Sequence, residues 1–167
     1  LPQIRRAESR DEPALWEMLT YAASMTEADA VAVARANDYL ASYVRKFGTR
    51  DGDWGLVAET AEPDRDVIGA AWLRMTEGEH AVACAGEPEL AIATRARGTG
   101  LGSKLMERLL AEAPFEAVVL SVRSTNPSVR LYQRFGFETI RSKVNRVGGE
   151  SLVMRRTLAP GRIPRNP

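Results

Sequence analysis

Glu89-Leu-Ala-Ile-Ala-Thr-Arg-Ala-Arg-Gly-Thr-Gly-Leu-Gly-Ser-Lys-Leu-Met106 is the stretch whose reading decides the fold. Its apolar run, Leu90 to Ala93, predicts a buried strand. Thr94 to Gly102 predicts a turn with an arginine pair, Arg95 and Arg97, and a helix follows directly. Glycine at Gly98, Gly100 and Gly102 lets the backbone approach a ligand and turn its amide groups outward. The helix N-terminus just beyond adds unpaired N–H groups and the positive end of a dipole. Such a turn is an anion site, most often for phosphate.

Working outward, 167 residues predict one domain over residues 1–158, large enough for its own core, and a disordered tail over 159–167. The hydrophobic share of 44% and charged share of 27% are those of an ordinary globular protein. A net charge of +1 gives no field that would recruit nucleic acid or an anionic membrane, so neither is an expected partner. The basic residues are arginine except for Lys46, Lys104 and Lys143, a bias read as bacterial-like genome composition. Cys84 stands alone and has no partner for an internal disulfide. No apolar run approaches membrane-spanning length, and Leu1 to Arg10 lacks the apolar core of a signal peptide. The expected location is the cytoplasm.

Ile4 to Ala7 predicts a strand, and Asp11 with Pro13 predicts a capped helix start with Leu15, Met18, Leu19 and Ala22 on one face. A second helix is expected from Ala28 to Phe47, stopped by Gly48. Trp54–Thr60 and Val67–Met75 read as a strand pair, and Thr76–Pro88 as a loop. Beyond the central stretch, Leu101, Leu105, Met106, Leu109, Leu110 and Ala113 form a helical stripe ended by Pro114. Ala117–Val122 reads as a buried strand, Asn126-Pro127 as a helix start and Gly136 as its stop. Strands follow from Phe137 and from Glu150 to Leu158. The order β-α-α-β-β-β-α-β-α-β-β predicts an α/β (α+β) fold, a mixed sheet with helices on its faces.

Two better-known phosphate loops do not fit. A dinucleotide turn needs Gly-x-Gly-x-x-Gly after a first strand, and a P-loop needs Gly-Lys before Ser or Thr. Here the glycines alternate, the unit sits in mid-chain, and Lys104 follows Ser103. Arg97-Gly98-Thr99-Gly100-Leu101-Gly102 instead resembles the Arg/Gln-x-x-Gly-x-Gly/Ala signature of the GCN5-related N-acetyltransferases (GNAT). A second block agrees: Leu120-Ser121-Val122, Asn126, Leu131-Tyr132 and Phe135-Gly136-Phe137 resemble that family's fifth strand and its helix ending in Tyr-x-x-x-Gly-Phe. Thr94 stands where the family commonly has proline.

The resemblance implies a mostly antiparallel sheet of six to seven strands and direct transfer of an acetyl group from acetyl-CoA to a primary amine, with no metal. Backbone N–H groups from Gly98 to Ser103 would hold the CoA pyrophosphate, with Arg97 adding charge or bracing the loop. The fourth and fifth strands would splay, so that backbone at Leu90, Ile92 and Ala93 receives the pantetheine arm and offers an N–H to the oxyanion. Asn126 would bond the arm or cap the next helix. Tyr132 would protonate the thiolate, the other reading being a core aromatic. Glu89 is the candidate base, against a solvated strand-end carboxylate. His80 and Cys84 are not assigned roles.

The acceptor site is expected around the first two helices, the Ser24–Asp29 junction and the Asn145–Gly149 turn. Trp16, Tyr21, Tyr39 and Tyr43 are its candidate lining, and Glu17, Glu27 and Asp29 its candidate attraction for a cationic amine. Expected partners are a small-molecule or peptide amine and a second copy of the chain in a homodimer. The competing functions are a non-catalytic acetyl-CoA-binding module of the same fold and a nucleotide-binding regulatory domain.

Overall fold

The spacing of Leu15, Met18 and Leu19 places them along one side of α1 (Glu12–Ala22), where all three are buried. Pro13 sits in the first turn, where its missing N–H has no helical partner to lose. Asp11, however, makes no side-chain cap on α1. Its carboxylate takes two bonds from Arg5 of β1 (Gln3–Arg6), each 2.9 Å, and one from the Glu8 N–H at 2.8 Å. A charged bidentate partner outcompetes a neutral backbone N–H, so Asp11 closes a 3₁₀ turn at Ser9–Asp11 instead.

The single helix expected over 28–47 is broken. The computed structural model has α2 (Ala30–Ala36), α3 (Asp38–Ala41) and a run of turns beyond. Asn37 makes the break: its backbone is extended and its Oδ1 accepts from the Leu40 N–H at 3.1 Å, so it caps α3. The apolar spacing persists across the break, with Ala34, Leu40, Val44 and Phe47 buried, although Val33 is exposed. The turns are fixed by buried donors on the strand behind them. Trp72 donates to the Tyr43 carbonyl at 2.9 Å, and Arg74 to Asp53 and the carbonyls of Ser42 and Arg45.

Seven strands hydrogen-bond in the order β1-β2-β3-β4-β5-β7-β6. β2 (Trp54–Glu59) pairs antiparallel with β1 and with β3 (Val67–Arg74). β4 (Glu89–Thr94) follows, and its end is tied to β3 by the Arg95 N–H on the Ile68 carbonyl at 2.7 Å. β5 (Ala117–Arg123) is parallel to β4 at Glu89↔Val119 and antiparallel to β7 (Glu150–Thr157), which pairs antiparallel with β6 (Glu138–Val144). The two remaining helices are α4 (Leu101–Glu112) and α5 (Ser128–Arg134).

The structure describes residues 1–76, 86–145 and 147–158. His80, Cys84 and the tail over 159–167 lie outside them. The chain divides into two compact units. The first, residues 1–74 and 91–113, has a core of α1, the α2–α3 region, and β2, β3 and β4 residues such as Val57, Trp72 and Ala91. There α4 packs on β2 and β3 through Leu101, Leu105, Met106 and Leu109. The second, residues 75–90 and 114–167, has the sheet β5-β7-β6 and a buried Val119–Val153 pair at its centre.

Candidate acetyltransferase site

In the first unit, β4 delivers the chain into the glycine turn. Ile92, Ala93 and Thr94 are half-buried, and everything from Arg95 to Gly100 is exposed. Gly98 and Gly100 both sit at φ +77°, a conformation that side chains with a Cβ rarely adopt. A Cβ built on either would have no protein atom within 4 Å; on Gly102 it would meet only the Thr94 methyl, at 3.9 Å. Gly69 on β3 is the contrast: a Cβ there would press on Leu101, Leu105 and Thr94 at 3.2 Å, so that glycine serves packing.

Gly100 is the N-cap of α4 and offers no side-chain oxygen, and the first turn holds no acidic residue. Thr99 Oγ1 reaches the Leu101 N–H only at 3.5 Å, beyond the usual range of an N–H···O bond. A twelve-residue helix therefore starts with its Gly102 and Ser103 N–H groups facing no helical carbonyl, at the positive end of its dipole. This arrangement fits a phosphate.

Arg97 is exposed and has no ion-pair or hydrogen-bond partner among the described residues, so its charge is not spent on bracing the loop. The brace is Arg95, whose guanidinium donates to both Glu17 oxygens on α1 at 3.1 and 3.2 Å. Glu17 also accepts from the Tyr21 hydroxyl at 3.0 Å, which pushes that phenol above its usual range. The expectation of Glu17 as an attractor for a cationic amine is thereby weakened, since its charge already faces Arg95. Trp16 is buried, its indole bonded to Glu12 and stacked under Arg35 at 4.8 Å. Tyr39 and Tyr43 meet edge-on with hydroxyls 3.2 Å apart, against the core. Glu27 and Asp29 are exposed.

In the second unit, Glu89 opens β4 with 3% of its surface exposed, which removes the solvated strand-end alternative. Leu90 beside it is buried. Next to it, the Val119 N–H bonds the Pro88 carbonyl at 3.1 Å. Pro127 holds the N-cap position of α5, one residue later than expected, and Asn126 Oδ1 just before it accepts from the Ser128 N–H at 2.8 Å. That bond uses the oxygen and leaves the amide NH₂ as a donor, so capping and ligand contact are compatible. Asn126 also lines a cleft of about 490 Å³ with Ser124, Thr125, Arg130 and Gln133.

The far end of α5 explains the Tyr-x-x-x-Gly-Phe spacing. The Gly136 N–H bonds the Gln133 carbonyl at 3.0 Å and the Phe137 N–H bonds the Tyr132 carbonyl at 3.0 Å. These are the two bonds of a Schellman motif, with Gly136 at φ +83° as its left-handed residue. The same motif favours an apolar contact between its ends, here Tyr132 against Phe137, ring centres 6.0 Å apart and edge-on. Tyr132 is thus half-buried beside Phe137, and burial pushes its phenol above the ordinary value near 10. Its hydroxyl has no hydrogen-bond partner among the described residues.

An uncapped helix N-terminus under a left-handed glycine turn fits an anionic ligand. Residues 53–139, just over half of the chain, match a family model described as an acetyltransferase (GNAT) domain. The chain belongs to the GNAT acetyltransferases.

Solved structures agree on the fold. A putative acetyltransferase from Salmonella typhimurium, determined with acetyl-CoA, is 23% identical with a TM-score of 0.64 over 98% of each chain. A ribosomal-protein-alanine N-acetyltransferase from Brucella melitensis is 25% identical, TM-score 0.63, over 93% of this chain and 99% of that one. A phosphinothricin acetyltransferase from Sinorhizobium meliloti, in complex with acetyl-CoA, is 19% identical, TM-score 0.62, over 96% and 90%. No curated protein matches the sequence.

Proposed function

We propose that this chain transfers an acetyl group from acetyl-CoA to a primary amine by direct attack in a ternary complex. The observation that carries the proposal is the α4 N-terminus: no side chain caps it, and the two glycines before it are held at φ +77° with no protein atom near their outer faces. A side-chain oxygen at the cap would occupy one of these N–H donors, and glycine supplies none. This turn leaves its donors for a ligand.

The N–H groups from Gly98 to Ser103 hold the pyrophosphate, and Arg97 adds the positive charge that bracing does not consume. Backbone groups of Leu90, Ile92 and Ala93 pair with the pantetheine amides, and the Asn126 NH₂ donates to the same arm. Acetyl-CoA supplies an activated thioester carbonyl and a thiolate leaving group. Tyr132 donates the phenolic proton that the leaving group needs, and its burial keeps that proton in place at neutral pH. Glu89 accepts the proton of the attacking amine, directly or through water.

Thermal shift with acetyl-CoA, ATP and NAD tests the binding half of this reading, because a ligand that binds the folded chain raises its melting temperature. A shift with acetyl-CoA alone is expected; none with acetyl-CoA at millimolar concentration overturns it. Transfer is then assayed as acetyl-CoA consumption with three amines: an N-terminal-alanine peptide, phosphinothricin and a lysine derivative. The first two follow the acceptors named for the Brucella and Sinorhizobium enzymes.

A further inference from the structure

α5 is a helix of seven residues, none of them fully buried. Core packing therefore does little to set its direction, and its two ends must. The N-terminal end has Asn126. At the other end the Schellman bonds occupy the carbonyls of Tyr132 and Gln133, which leaves those of Arg134 and Phe135. Arg156 of β7 takes the Phe135 carbonyl, its Nε donating to Phe135 O at 2.9 Å.

The same guanidinium also donates to the Thr157 carbonyl, and its stem lies over Gly136, where a Cβ would stand 2.8 Å from Nε and 3.1 Å from Cδ. β7 is hydrogen-bonded along both edges, to β5 and β6, so Arg156 projects from a fixed support. A cation at the negative end of a helix adds to the hold. Tyr132 lies one turn back from this clamp.

We propose that Arg156 is a positioning residue for Tyr132: by clamping the C-terminus of α5 it fixes the direction in which the phenol delivers its proton. The inference rests on the proposed role of Tyr132 as general acid. It assigns no contact between Arg156 and substrate.

The test is a double-mutant cycle in steady-state kinetics, run well below every melting temperature. Arg156→Met keeps the apolar stem and removes the donors. It should lower kcat about tenfold, as a misplaced catalytic group does, with KM for acetyl-CoA within about twofold. Arg156→Lys, which retains a donor, should recover part of the loss. In a Tyr132→Phe background, Arg156→Met should change kcat less than about twofold, because the group it positions is gone.

A full tenfold loss in that background makes Arg156 merely structural and overturns the proposal. So does an unchanged kcat in the otherwise native chain, or a loss confined to KM. If Tyr132→Phe alone leaves kcat unchanged, the general-acid reading fails first and takes this inference with it. Should Arg156→Met not fold, the cycle is run with Arg156→Lys, whose smaller loss of kcat in the native chain should vanish in the Tyr132→Phe background; a loss that persists there overturns the proposal.

Discussion

Glycine stands at two helix ends in this chain for opposite reasons. At the start of α4, Gly98 and Gly100 hold φ +77° and face no protein atom within 4 Å of a built Cβ. At the end of α5, Gly136 holds φ +83° and faces the Arg156 side chain at 2.8 Å. The dihedral is nearly the same, so conformation alone does not distinguish them. What a side chain would touch does. On the proposed function, the open glycines belong to a surface kept bare for a ligand, and the covered glycine belongs to the proposed clamp on α5. Substitution should therefore separate the two regions, one through binding and the other through stability.

The largest effect is expected at the residue the clamp serves. Tyr132→Phe should lower kcat by roughly 10²-fold or more, the usual contribution of a positioned acid, while KM for acetyl-CoA changes little. The sign of the phenol's shift gives a further check. A pKa raised by burial keeps the proton on the oxygen through neutral and mildly alkaline pH. The native enzyme should therefore lose no activity between pH 7 and 9 through Tyr132, and a falling limb that vanishes in Tyr132→Phe would contradict the geometry.

Gly136→Ala comes next. It combines a left-handed backbone with a contact of 2.8 Å to Arg156. Backbone strain of about 1 kcal/mol and overpacking of 1 kcal/mol or more sum to about 2–3 kcal/mol of lost stability, measurable by urea denaturation. Gly100→Ala carries only the first term, so about 1 kcal/mol in denaturation, but should raise KM for acetyl-CoA about tenfold by placing a methyl on the bare face. Equal stability losses with equal KM values would abolish the distinction between the two glycines.

The sequence made the bare turn legible because its signals are local: alternating glycines, an apolar run before and a helical stripe after all lie between Leu90 and Ala113. The Tyr132-to-Phe137 spacing was equally readable, since a Schellman motif is itself local. Two other features were not. Asn37 breaks a helix whose apolar spacing continues unchanged on either side, so periodicity had no means of reporting it. Arg95 and Arg156 act across 78 and 21 positions of sequence, and a charge on a strand or turn does not announce which carbonyl or carboxylate it will meet. Glu89 shows a third limit: a carboxylate at a strand end reads as solvated until the chains around it are known.

The smallest effect should come from the brace on the turn. The Arg95–Glu17 pair is bidentate, but its side chains are 41% and 36% exposed, so solvent screens most of its attraction. Exposed pairs contribute about 0.2–1 kcal/mol, and Arg95→Gln should lose no more than that in urea denaturation. The conformation of the turn is set by Gly98 and Gly100 and by the Arg95 backbone N–H on Ile68, all of which survive the substitution. KM for acetyl-CoA should thus stay within about twofold, and the stability difference should shrink at high salt. A tenfold rise in KM would mean that the bare turn depends on α1 to hold its shape. The contrast between an open glycine surface and a side-chain clamp would then fail, because both ends would need an arginine.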